Sequence, residues 1–159
     1  MFEQTQKIVD LINTIDDNVV GIRFLKEYAV IVFHAEVELT LQEIFFRKTI
    51  FDCTKDGFKR NLSSTLTGKL SFQDIGGKFK TDIWRKIERE TETVLKKNLN
   101  DPTFHIEQLK RDYNELITAR NELAHRTTTL YLIDVNNIQK CIDFMKALIA
   151  NMEKFSQTA

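Results

Sequence analysis

Residues 119–126 read ARNELAHR, and they place an arginine where the preceding pattern calls for a hydrophobic side chain. Ahead of them Ile106, Leu109, Tyr113, Leu116 and Ile117 recur three and four apart, and Leu123 and Ala124 continue that stripe, which predicts a helix over about 103–125. At about 100° per residue, Arg120 falls within roughly 20 to 40° of Tyr113, Leu116 and Ala124, in the middle of the apolar face. Asn121 and His125 are four apart and share one edge of it, with the imidazole near the helix end, where carbonyls converge. Arginine, amide and imidazole therefore meet on one small patch.

Earlier in the chain, about Val19 to Lys55 is nearly free of breakers and apolar almost all round through YAVIVFHAEVEL, which predicts a long helix buried on several sides, with Gly57 as its C-cap. His34, Glu38, Leu41 and Phe45 follow one another on one of its stripes, so Glu38 is a carboxylate among hydrophobic neighbours and needs a partner. Arg120 is the other misplaced charge, and the two are expected to pair, in the same or a partner chain. His34, four residues before Glu38, is placed to hydrogen-bond to it. A structural ion pair and a satisfied core histidine are the plainer readings.

The remaining segments fill in a helical chain. Ile8, Leu11, Ile12 and Ile15 predict a peripheral helix over 3–16, and residues 58–70 read as a Ser/Thr-rich loop. A short helix starts at Ser71 and is interrupted by Gly76-Gly77. Thr81-Asp82 then caps a helix to about Leu99, with Ile83, Trp84, Ile87, Val94 and Leu95 as its packing side. Trp84 is expected in the core, with base stacking as the sharper possibility. Asp101 or Thr103 caps the helix that ends in ARNELAHR, and His105 sits exposed in its first turn. Past an extended link over 127–132, Asp134 caps a last helix whose stripe is Val135, Ile138, Ile142, Met145, Leu148, Ile149 and Met152.

Composition fits that pattern. A chain of 159 residues with 42% hydrophobic and 29% charged side chains, one proline and five glycines suits one helix-rich domain over 1–159 rather than a sandwich or a disordered chain. Basic and acidic residues both number 23, so net charge offers no steering toward a polyanion. Between Lys55 and Lys97, however, eleven basic residues face six acidic ones, leaving twelve against seventeen elsewhere. Such a basic middle could track a phosphate backbone, although a solvated helical face is its commoner meaning. No basic leader with an apolar stretch opens the chain, and no apolar run nears the roughly 20 residues that cross a bilayer, so a soluble, cytoplasmic protein is expected. Cys53 and Cys141 stand apart without a CxxC spacing, which argues against a structural zinc site. No Walker loop, GxGxxG, GxSxG or HExxH pattern occurs.

Arg120-Asn121-Glu122-Leu123-Ala124-His125 resembles the Arg-polar-x-x-x-His signature of HEPN domains, small helical proteins of which many are metal-independent RNases. With a long hydrophobic helix before the motif and one amphipathic helix after it, the resemblance covers most of the chain. It is nearest to RiboL-PSP-HEPN-like members, which carry acidic residues in the long early helix. The resemblance implies an all-α bundle of about five principal helices and an endoribonuclease that uses no cofactor and no metal. Arg120, Asn121 and His125 would be catalytic, with Glu38, His34 and Arg126 supporting.

The chemistry agrees. In cleavage of RNA by its own 2′-hydroxyl, a base takes the hydroxyl proton, the oxygen attacks phosphorus, and the added negative charge must be stabilised. His125 titrates in the right range, Arg120 can grip a phosphate in two-pronged fashion, and Asn121 can orient the imidazole or a phosphate oxygen. One histidine is few for a reaction needing both base and acid. The resemblance implies a homodimer in which two motifs form one composite site, cutting RNA as a toxin or antiviral defence effector, with an antitoxin or nucleotidyltransferase as a further partner. A non-catalytic HEPN-like module for protein or RNA binding and dimerisation is the alternative, and a plain structural dimerisation domain a weaker one.

Overall fold

The computed structural model describes residues 1–51, 70–124 and 133–156, with backbone alone for 46–51, 124 and 156. Its elements are α1 (Glu3–Asn13), α2 (Ile22–Phe51), α3 (Phe72–Gly76), α4 (Thr81–Leu99), α5 (Ile106–Ala124) and α6 (Val135–Ser156), and no strand occurs among the described residues. The expected all-α class and five principal helices stand, with α3 as the short sixth. Of the expected loop over 58–70 only Leu70 is among the described residues, and it is buried; the link over 127–132 and the Gly57 cap lie outside them. The chain groups into two compact units, Met1–Val37 with His105–Lys146, and Glu38–Phe104 with Ala147–Ala159.

In the first unit an aromatic chain runs through the core. Phe33 of α2 lies 5.7 Å from Phe2 and 6.2 Å from Tyr113 of α5, and Tyr113 lies 6.3 Å from Phe144 of α6, measured between ring centroids. The edge-on geometry of the last two suits the ring quadrupoles. Around these rings Ala29, Val30, Val37, Ile138 and Ile142 are fully buried, and the expected α5 residues Ile106, Leu109, Leu116 and Ile117 are buried too.

Helix α1 is held by a device that periodicity does not reveal. Phe2, at its N-cap, has a left-handed backbone (φ 58°) and offers no side-chain cap. The Glu36 carboxylate takes over, accepting from the amides of Gln4 (3.0 Å) and Thr5 (3.1 Å) and from the buried Thr5 hydroxyl. A negative charge at a helix N-terminus satisfies donors that have no intrahelical acceptor and complements the helix dipole. Accordingly the buried face of α1 is Thr5, Val9 and Ile12; of the expected Ile8, Leu11, Ile12 and Ile15, Ile12 is buried, Ile8 and Ile15 are half-buried, Leu11 is exposed, and the helix ends at Asn13. Gln6 and Gln139 exchange amide hydrogen bonds of 2.6 and 3.0 Å, tying α1 to α6.

The second unit is built on another aromatic cluster, in which Phe79 packs between Phe45 (5.6 Å) and Trp84 (5.5 Å), and Phe72 lies 5.1 Å from Trp84. Trp84 is thus half-buried between two rings, a packing residue as expected. Ser71 caps α3, its hydroxyl accepting from the Asp74 amide at 3.1 Å. Helix α4 starts at Thr81 without a side-chain cap and ends at Asn100, whose left-handed backbone (φ 51°) lets the Asp101 amide reach the Lys96 carbonyl at 3.1 Å. Its buried line is Ile87, Thr91 and Leu95, while Val94, expected inside, is exposed. Thr91 is tolerated there because its hydroxyl donates to the Ile87 carbonyl (2.7 Å) and accepts from the buried Asn151 amide (3.1 Å).

Asp101 forms a turn with Thr103 (3.0 Å to the amide, 2.7 Å to the hydroxyl) and does not cap α5, which starts only at Ile106, just past the exposed His105. Asp134 accepts from the Asn136 amide at 2.9 Å, and all seven expected apolar residues of α6 are buried.

Helix α2 departs most from expectation. It begins at Ile22, and one of its faces is open: Phe24, Tyr28, Ile31 and Leu39 are exposed.

Gly76 marks the tightest fit. A Cβ there would lie 2.6 Å from Trp84 Nε1 and 2.7 Å from Cε2, inside contact distance of a ring held between Phe72 and Phe79. Gly76→Ala is expected to cost about 1–3 kcal/mol through overpacking. A fall in the urea midpoint at unchanged m-value checks it, and an unchanged midpoint would contradict this packing.

Candidate active site on helix α5

Arg120 and Asn121 sit four and three residues before the described end of α5, both half-buried. The preceding turns are clamped by buried Tyr113, Leu116, Ile117 and Ala119, which fixes the face from which Arg120 projects. Arg120 Nη1 lies 3.4 Å from Asn121 Oδ1, a long contact with the guanidinium as donor. His125 and Arg126 lie outside the described residues, so the structure places two of the three expected catalytic residues, Arg120 and Asn121, side by side.

The guanidinium charge is felt inside the unit. His34, on the core side of α2 and only 2% exposed, has its pKa pulled from 6.5 to about 4, first by burial and second by the positive charge of Arg120. At neutral pH it is a neutral imidazole within the field of the arginine. It is therefore unsuited to carry a charge of its own. Glu38, half-buried, lies one helical turn further along α2.

Other chemistry is sparse. Cys141 is fully buried, and its thiol is pushed far above its usual range, chiefly by burial and next by the Asp112 carboxylate, so it has no thiolate to offer as a nucleophile. No group of three or more His, Cys, Asp or Glu side chains suited to holding a metal ion occurs among the described residues. Lys78, Lys80 and, on α4, Arg85, Lys86, Arg89 and Lys97 are exposed, and Lys96 pairs with Glu92 at 3.2 Å; these are the described part of the basic middle of the chain. No helix among the described residues is long and apolar enough to cross a membrane.

An all-α fold, without strands among the described residues, that carries an arginine–amide pair on its penultimate helix followed in sequence by histidine is the arrangement of a HEPN domain. The family described as RiboL-PSP-HEPN matches residues 2–157, and the chain belongs to it. No curated protein and no solved structure gives a significant match. Domains of this kind are often RNases, and they commonly dimerise and bind RNA.

The His34 environment sets a pH dependence. A histidine whose pKa is depressed on folding binds its proton preferentially in the unfolded chain, so its contribution to stability is complete above pH 6.5 and declines as pH falls toward 4. Urea midpoints should drop across that window, and His34→Leu should flatten this part of the profile. Equal slopes for the two proteins would place His34 in a different environment.

Proposed function

We propose that this protein is a metal-independent endoribonuclease of HEPN type that cleaves RNA by attack of its own 2′-hydroxyl. The observation that carries the reading is Arg120, a guanidinium held half-buried on the clamped stripe of α5 beside Asn121, in a chain of this family. In the proposed step His125 accepts the 2′-hydroxyl proton, and the oxygen bonds to the adjacent phosphorus. Arg120 neutralises the charge that builds on the phosphoryl oxygens, and the 5′-oxygen leaves with a proton from the second motif of a dimer. Asn121 orients the imidazole or a phosphate oxygen. The nucleophile belongs to the substrate, so this route does not call for a metal-activated water. A role as a toxin or antiviral effector, restrained by an antitoxin or nucleotidyltransferase, belongs to the same proposal.

Arg120→Ala and His125→Ala are each expected to lower cleavage of tRNA or mRNA by about 10² or more, the usual scale for losing an oxyanion-stabilising or acid–base group. Cleavage should persist in excess EDTA and leave a 2′,3′-cyclic phosphate. Folded, dimeric wild-type protein inert toward every RNA class would favour the non-catalytic module. Loss on chelation with recovery on adding a divalent ion would overturn the mechanism.

Glu38 is proposed as the counter-charge of Arg120, because each is the charge that its own apolar stripe accommodates least well. A double-mutant cycle on stability with Glu38→Gln and Arg120→Gln should give a coupling of about 1 kcal/mol or more, and zero coupling would remove the assignment.

A further inference from the structure

Helix α4 sorts its charges by side. Its buried line is Ile87, Thr91 and Leu95. At about 100° per residue, an arc of roughly 120° on the opposite side holds Arg85, Lys86, Arg89, Thr93, Lys96 and Lys97. Every member but Thr93 is cationic, and none is acidic. Glu88, Glu90 and Glu92 occupy the same turns yet fall outside the arc, and Asp82 precedes it in the first turn. Arg85, Lys86, Arg89 and Lys97 are exposed, while Lys96 is half-buried and pairs with Glu92 at 3.2 Å. At the helical rise the row is about 18 Å long.

Solubility alone does not account for this sorting. A helix stabilised by its surface charges alternates them, with acids four residues ahead of bases, as Glu92 and Lys96 are. Arg85 and Arg89 instead set like charges four apart, an arrangement that weakens a solvated helix. The helix dipole accounts for Lys96 and Lys97 in the last turn, but not for Arg85, Lys86 and Arg89 in the half nearer its positive end. These three cations repel one another in the free protein, and a bound polyanion removes that repulsion.

We infer that this arc of α4 is a phosphate-tracking face for RNA, with a role separate from that of the Arg120 motif. A straight row of cations complements a chain of phosphates, and each guanidinium can grip two phosphate oxygens at once. No member of the arc is aromatic, and Trp84 of the same helix is packed against Phe72 and Phe79. The face therefore offers no base stacking and meets the backbone rather than the bases. An anionic bilayer fits less well, because a helix lying in a membrane surface puts its apolar side into the lipid, and that side of α4 is taken up by the core. The choice of RNA as the polyanion rests on the RNase reading above. The face supplies affinity without sequence preference and leaves the chemical step to the motif.

RNA methylated at every 2′-oxygen lacks the nucleophile of the proposed reaction, so it reports binding without cleavage. Fluorescence anisotropy of such an RNA, of about 20 nucleotides, with the full chain should give a Kd on the order of 10 µM or tighter at about 50 mM salt. Two unrelated sequences should bind alike. Arg85→Gln with Arg89→Gln, and Lys86→Gln with Lys97→Gln, should each weaken binding about tenfold and lower the slope of log K against log salt by about 1.4, at unchanged circular dichroism. Lys140→Gln with Lys146→Gln, at exposed positions on α6, should leave both quantities unchanged. Wild-type protein that does not bind overturns the proposal, as do α4 variants that bind like wild type or an equal loss from the α6 pair. Binding to phosphatidylserine vesicles without binding to RNA overturns it in favour of a membrane surface. Cleavage of unmodified RNA with the same KM in the α4 variants also overturns it and leaves the RNase reading intact. Wild-type protein that binds as described but cleaves no RNA removes the RNase reading and leaves the α4 face standing.

Discussion

Helix α2 buries Ala29, Val30, Phe33 and Val37 while leaving Phe24, Tyr28, Ile31 and Leu39 exposed, and its inner side constrains everything around it. Its inner residues, from Ala29 to Val37, organise the aromatic chain of Phe2, Phe33, Tyr113 and Phe144. The same helix carries the carboxylate that caps α1 and the imidazole that lies in the field of Arg120. Core, cap and site therefore share a single element, and a change in the position of α2 would be felt in all three.

The site itself shows how burial divides labour among similar groups. The proposed chemistry uses His125 alone, and burial and the positive charge of Arg120 keep the other nearby histidine, His34, neutral through the whole physiological range. A neutral imidazole adds no second positive charge to the field of Arg120, the group proposed to meet the phosphate. His125, proposed above for proton transfer, is the histidine that follows α5 in the sequence.

Much of this is legible in the residues, and the limits have physical causes. Strong one-faced periodicity locates α5 and α6 well, because the stripe from Ile106 to Ile117 and that from Val135 to Met152 each have one consistent inward direction. The motif on α5 stands out because a permanent charge on such a stripe is rare. Helix α2 misleads for the opposite reason: with apolar residues all round, periodicity cannot say which side is covered, and the open face from Phe24 to Ala35 reads like core. On α1 periodicity finds Ile12 but misses Thr5, because a remote carboxylate, Glu36, draws that residue inward. Thr91 on α4 escapes for a related reason: a threonine can lie inside once its hydroxyl is matched, and the match comes from Asn151, 60 positions away.

The Glu36 clamp has a consequence for how the fold opens. In an ordinary helix the first amides exchange with solvent freely, since their only partners are water or a neighbouring side chain. Here the amides of Gln4 and Thr5 are held by a side chain more than thirty residues away, so their exchange is tied to the docking of α1 on α2 and not to fraying of α1 alone. Those two amides therefore act as a native reporter of whether the N-terminal helix is seated, and anything that draws Glu36 elsewhere releases α1 as a unit.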